Sequence, residues 1–120
     1  MNIPIYRAKK IDSDEYVEGI AVDNNLLIQC THFDSYYNEH IASVVEIDPT
    51  TLAIHFKDMI DSEGNKIFAS LSKNGKGGDI MKDDEYYGIA KYKDSSFVVE
   101  YENVEECLCE GNFEIIGIHK

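Results

Sequence analysis

The chain has 120 residues, 43% of them hydrophobic, with eight Tyr, five Phe and no Trp, and a formal net charge of −12 from 23 acids against 11 bases. That is one domain, expected over 1–120, long enough to bury a core without disulfides or metal. The charge argues against direct nucleic-acid binding, which runs on Lys and Arg displacing counterions, and no basic patch is segregated here. No stretch approaches the ~20 apolar residues of a membrane span, and residues 1–10 lack the long apolar core of a signal peptide.

The elements read in order as strands and turns. Ile3, Ile5 and Arg7 alternate in a first strand, confined to an edge by Pro4. Ile11–Glu15 is a polar turn. Tyr16–Val22 alternates as a second strand. Asp23-Asn24-Asn25 is turn chemistry, since Asn and Asp tolerate left-handed backbone. Leu26–Thr31 is a third strand, which completes a β-meander. His32–His40 has no clean period and reads as a loop. Ala42–Ile47 is a strand. Asp48-Pro49 reads as a helix cap followed by Pro at the first helical position, so a short helical turn is expected through Thr51.

Asp61–Asn65 is a hairpin-type turn with Gly64 as the residue for positive φ. Lys66–Leu71 reads as a strand, and Asn74-Gly75 as a tight turn. Tyr86–Lys91 and Phe97–Tyr101 are strands, with Phe97, Val99 and Tyr101 on one face. Glu102–Glu106 is expected to open a short helical turn, and Phe113–Ile118 closes the chain as a strand. Many short strands without a long helical period mean a mainly β domain. The expected architecture is a small antiparallel barrel, SH3-like or related, with an extra hairpin near 69–78 and at most one or two short helical turns.

Several pieces, in this order, resemble the YopX family of phages and prophages: Ile5-Tyr6-Arg7-Ala8, Val17-Glu18-Gly19, Asp48-Pro49-Thr50-Thr51, Asp61-Ser62-Glu63-Gly64-Asn65-Lys66-Ile67-Phe68, Gly78-Asp79-Ile80 and Phe113-Glu114-Ile115-Ile116-Gly117. Residues Ala69–Lys76 interrupt the family's usual step from Ile-Phe to Gly-Asp-Ile. The resemblance implies a β-rich, oligomerising domain of phage origin. It transfers no biochemical activity.

Candidate chemistry is sparse. Asp61-x-Glu63-x-Asn65 suggests a calcium loop, but its sixth and twelfth places, Lys66 and Ser72, are unsuitable. Gly75-Lys76-Gly77-Gly78 suggests a phosphate loop, but Gly77 stands where a hydroxyl is needed and no helical run follows. Cys30-x-His32 with Cys107-x-Cys109 could supply four zinc ligands, since i and i+2 share a strand face. The single-residue gaps and neighbouring Glu residues favour free thiols in a reducing cytosol instead. His32, His40, His55 and His119 are scattered, and the carboxylate runs read as solvated surface.

The expectation is therefore a non-catalytic binding module of the cytoplasm, without cofactor, that associates with itself and with a protein partner. Lys73, Asn74, Gly75, Lys76, Gly77 and Gly78 form its expected mobile contact loop. The −12 charge leaves open an acidic decoy for a host nucleic-acid-binding protein. A metal- or nucleotide-dependent enzyme is the remaining alternative.

Overall fold

The computed structural model describes residues 3–83, 86–94, 96–101, 104–108 and 113–120, with backbone alone at 30–32 and 40. The strands are β1 (Ile5–Lys10), β2 (Tyr16–Gly19), β3 (Ala21–Asp23), β4 (Leu26–Asp34), β5 (Glu39–His55), β6 (Ala69–Ser70), β7 (Asp79–Asp83), β8 (Tyr86–Lys93), β9 (Ser96–Glu100), β10 (Glu105–Cys107) and β11 (Glu114–Ile118). The fold is mainly β, as the periodicity implies. The barrel does not close: the sheet curls into an open half-barrel. Its path runs β10-β9-β8-β6-β5-β1-β2, with β11 on β7, β7 on β8, and β4 carrying β3 beside β5. Pairing is antiparallel except for a parallel contact of β6 with β8 at Ser70 and Lys91. Among the described residues no helix is long and apolar enough to cross a membrane.

Two apolar cores hold the curl. One gathers Met59, Ile67, Ala69, Met81, Ala90, Val99 and Phe113 under β7–β9. The other gathers Ala8, Leu27 and Ile47, with Val17, Val22 and Val45 packed against it. Each fully buried Met, Leu, Ile or Val contributes about 1.5–3 kcal/mol relative to exposure.

The expected second strand is cut in two. A Cβ at Gly19 would lie 2.6 Å from the Ile28 carbonyl oxygen. The chain crosses from β1 to β4 at this close approach, and the Ile20 amide donates to the same carbonyl at 2.8 Å.

Asp48-Pro49 starts no helix. Asp48 Oδ1 accepts hydrogen bonds from Thr50 N (3.0 Å) and Thr50 Oγ1 (2.7 Å), and Thr51 Oγ1 donates to the Asp48 carbonyl (2.7 Å). These bonds stabilise a bulge in β5: Lys9 pairs with Asp48 while Arg7 pairs with Ala53. The capping chemistry is real, but β-branched Thr50 and Thr51 and a strand partner on β1 favour extended backbone after it.

The expected loop at 32–40 is mostly strand. β4 continues to Asp34 and β5 begins at Glu39, joined by a four-residue turn. Asp34 Oδ1 caps it by accepting from Tyr36 N and Tyr37 N, and Asn38 takes φ 53°. The helical turn expected at 102–106 overlaps β10, and residues 102 and 103 lie outside the described set. The hairpin near 69–78 is not a strand pair: β6 pairs with β5 and β8, and the chain between β6 and β7 folds back as a loop.

Candidate interaction surfaces

The Lys73–Gly78 loop lies on the outer face of β8. A Cβ at Gly75 would meet the Ile89 side chain at 2.8 Å, and one at Gly77 (φ +85°) would sit 1.9 Å from the Thr51 carbonyl oxygen. Gly77 N donates to the His119 carbonyl (2.7 Å) and His119 N to that of Gly78 (2.9 Å). Ser70 Oγ donates to the Lys76 carbonyl (2.8 Å), and Lys76 N to Asn74 Oδ1 (2.9 Å). Gly75, Gly77 and Gly78 are buried, while Lys73 and Asn74 are exposed. The loop is therefore tied down through its glycines and presents Lys73, Asn74 and part of the Lys76 side chain to solvent, the last 3.8 Å from Asp48.

Beneath it, Lys91 Nζ donates to the Lys73 carbonyl (2.6 Å) and to Glu100 Oε1 (2.7 Å). The Lys91 bond holds the Glu100 carboxyl below its usual range. Glu100 borders two shallow notches of about 340 and 370 Å³. One carries Tyr87, Tyr101 and His119, the other Lys73, Lys91 and Lys93. Burial, with Glu106 beside it, pushes the Tyr101 phenol up to about 12, and Tyr101 donates to Glu106 Oε2 at 3.2 Å. Lys91 pairs with Glu100 and Lys93 with Glu105, so these cations are already compensated.

Inside the fold, Arg7 Nη2 binds Asp79 Oδ1 (2.8 Å) and the Gly77 carbonyl (2.9 Å), and its guanidinium lies 4.5 Å from the Phe68 ring centroid. Burial raises the Asp79 carboxyl above its usual range, against the pull of Arg7 and the Phe68 amide. His55 donates from Nδ1 to the Ile67 carbonyl (3.0 Å). Ser70 and His55, residue types that serve nucleophilic catalysis, are committed to backbone carbonyls here. Asp61 accepts from the amides of Glu63, Asn65 and Ile115 and from the Asn65 side chain. That set closes the turn and occupies the carboxylate lone pairs a calcium ion would need.

Among the described residues no group of three or more His, Cys, Asp or Glu is arranged to hold a metal ion. Cys107 is exposed on β10, paired with Val98, at one end of the sheet path. Position 30 lies on β4, paired with Ser43, and position 32 beside it pairs with Ile41. Strand pairing therefore does not unite the two Cys-containing segments; Cys109 lies outside the described residues.

The surface that sequence reading missed is the arm formed by β4 and β5. The radius of gyration is 15.6 Å and the extents are 56 × 31 × 25 Å; a compact chain of this length has a radius near ~14 Å. β3 covers β4 only over Leu26–Ile28, and β1 covers β5 only from Ile47 onward. Beyond those points, over 30–34 and 39–45, the ribbon has no further strand partner among the described residues. Leu27 and Val45 face the core. The register puts Leu26, Ile28, Phe33, Ala42 and Val44 on the opposite face, where Leu26 is 36%, Val44 50% and Phe33 52% exposed. Tyr36 (86%) and Tyr37 (67%) cap the tip, their rings edge to face at 4.8 Å. The signal for the arm was present: two long apolar-rich runs around a turn bounded by Asp34 and Asn38.

Comparison with protein-family models, with curated proteins and with solved structures found no match to this chain.

Proposed function

We propose that this protein is a non-catalytic binding and assembly module that acts by surface contact, self-association foremost. The observation that carries this reading is the exposed apolar face of the β4–β5 arm. An isolated two-stranded ribbon is marginal in water, and an apolar stripe on a projecting element marks an interaction surface. The committed hydrogen bonds of Ser70, His55 and Asp61 favour a structural role for those groups over a reaction centre. The resemblance to YopX proteins supports a phage or prophage origin and action in the host cytoplasm. Light scattering at tens of micromolar tests the reading: an oligomer is expected. A strict monomer that also captures no protein from host extract overturns it.

A second reading rests on the −12 charge: an acidic decoy for a basic, nucleic-acid-binding host protein. It requires that capture of such a protein weaken steeply with added salt. Salt-independent capture counts against it.

A further inference from the structure

We propose that the partner of the arm is the arm of a second copy, crossed antiparallel about a two-fold axis that passes close to Ala42. This rests on the assembly reading and specifies its geometry. Three observations argue for a second copy. The first is charge. Between Leu26 and Ile47 there is no Lys or Arg, and the acids Asp34, Glu39 and Glu46 sit at the tip and the base. The stripe between them bears no formal charge. A basic partner would be drawn to the acidic body instead, whereas two bodies of −12 each repel least when most of the contact is this uncharged stripe.

The second observation is placement. From the Leu26–Glu46 pair to the Asp34–Glu39 pair the arm spans eight steps on β4, roughly 26 Å at ~3.3 Å per residue. Crossed antiparallel, each tip lands on the other copy's base. There Tyr36 and Tyr37 meet Leu26, 36% exposed on the outer face. The two acidic bodies then lie at opposite ends, and the close like charges are confined to Asp34 and Glu39 of each tip near Glu46 of the other base, so association should strengthen with added salt. The midpoint of the stripe, the position 31–42 pair, faces its own copy, as an isologous contact requires.

The third observation is area. The exposed parts of the stripe and the tip tyrosines together offer on the order of 600 Å² per copy, somewhat below the ~800 Å² per partner of a standard interface.

The test uses Ala42, which is exposed, so neither substitution below disturbs the core. Wild-type protein is expected to sediment at twice its 13.6 kDa mass. Ala42→Lys and Ala42→Glu are each expected to fall to the single-chain mass, because each places like charges against themselves at the axis. An equimolar mixture of the two is expected to return to the double mass, which misfolded variants could not do. Tyr36→Ser with Tyr37→Ser, at the solvent-exposed tip, is expected to lose the dimer, keep the wild-type far-ultraviolet circular dichroism, and show a melting temperature that no longer rises with protein concentration. A wild-type monomer at several hundred micromolar overturns the arm pairing; the assembly reading then survives only through another partner. Dimers that persist in both Ala42 variants overturn the arm as the contact but leave self-association standing. Monomers that stay monomeric on mixing overturn the two-fold register.

Discussion

Arg7 and Asp79, 72 positions apart in the chain, meet at 2.8 Å with side chains only 11% and 2% exposed. The pair ties β1 to the start of β7. It also pins the loop between β6 and β7, because the same guanidinium nitrogen reaches the Gly77 carbonyl. Asp79 Oδ2 then accepts the Phe68 amide at 2.8 Å. Arg7 Nε is buried without a hydrogen-bond partner among the described residues, a cost that contact with the Phe68 ring partly offsets.

Truncating one member of this pair leaves a buried charge uncompensated. Arg7→Met is expected to cost about 3 kcal/mol or more. Arg7→Met combined with Asp79→Leu should cost less than the sum of the single changes, by about 1 kcal/mol or more. Urea unfolding of the four proteins measures both; strict additivity would show that the two side chains do not act together.

Two positive-φ glycines separate backbone strain from collision. Gly64 (φ +85°) has nothing within 4 Å of an added Cβ, whereas at Gly77, with the same φ, that atom would lie 1.9 Å from the Thr51 carbonyl oxygen. Gly64→Ala is expected to lose about 1 kcal/mol, from the backbone alone. Gly77→Ala should lose about 3 kcal/mol or more, because the loop must also lift off β5. Equal melting temperatures for the two variants would contradict the packed loop.

Thr51 is fully buried, and its hydroxyl serves both sides of the β5 bulge, donating to the Asp48 carbonyl and accepting from Lys9 N at 2.9 Å. Thr51→Val keeps the shape and removes both bonds. It is expected to cost about 2 kcal/mol, chiefly from the stranded Lys9 amide. Faster hydrogen exchange at Lys9 would report the same loss locally.

Stability should fall in acid. In Asp61, burial alone would raise the carboxyl, but the Asn65, Ile115 and Glu63 hydrogen bonds together hold it below its usual 3.8. The Thr50 hydroxyl and amide do the same for Asp48, and Lys91 holds Glu100 below 4.5. A carboxyl depressed in the folded state contributes stability that is present above its unfolded value and lost as pH falls through the folded one. Asp79 has the opposite sign: burial raises it, so its own contribution is larger in acid and declines as pH rises past 3.8. Among the described residues, the three depressed carboxyls set the expected direction. The melting temperature should therefore drop below about pH 4, and Asp61→Asn should shrink that drop. A profile that stays flat to pH 3 in the wild type would refute this balance.

The local chemistry of the turns was legible in the chain. Asn24, Asn38 and Asp94 take positive φ, as do Gly64, Gly75 and Gly77; only side chains that tolerate left-handed backbone can stand there. The alternation of Phe97, Val98 and Val99 likewise gives a strand and its two faces; the tertiary structure decides that the face of Val99 is the buried one. Asp48-Pro49 was read correctly as capping chemistry and incorrectly as a helix start, because a cap specifies hydrogen bonds and not the element that follows.

Sequence by itself determined that this protein is a β domain with acidic surfaces and fixed turns, since period, turn residues and charge are properties of neighbouring positions. Tertiary structure decided the rest: that Arg7 reaches Asp79, that the glycine loop is clamped to β5 and the chain end, and that β4 and β5 outrun the strands flanking them. Those outcomes depend on which strands lie side by side and where each stops. Long-range pairing sets that, and no local window of residues contains it.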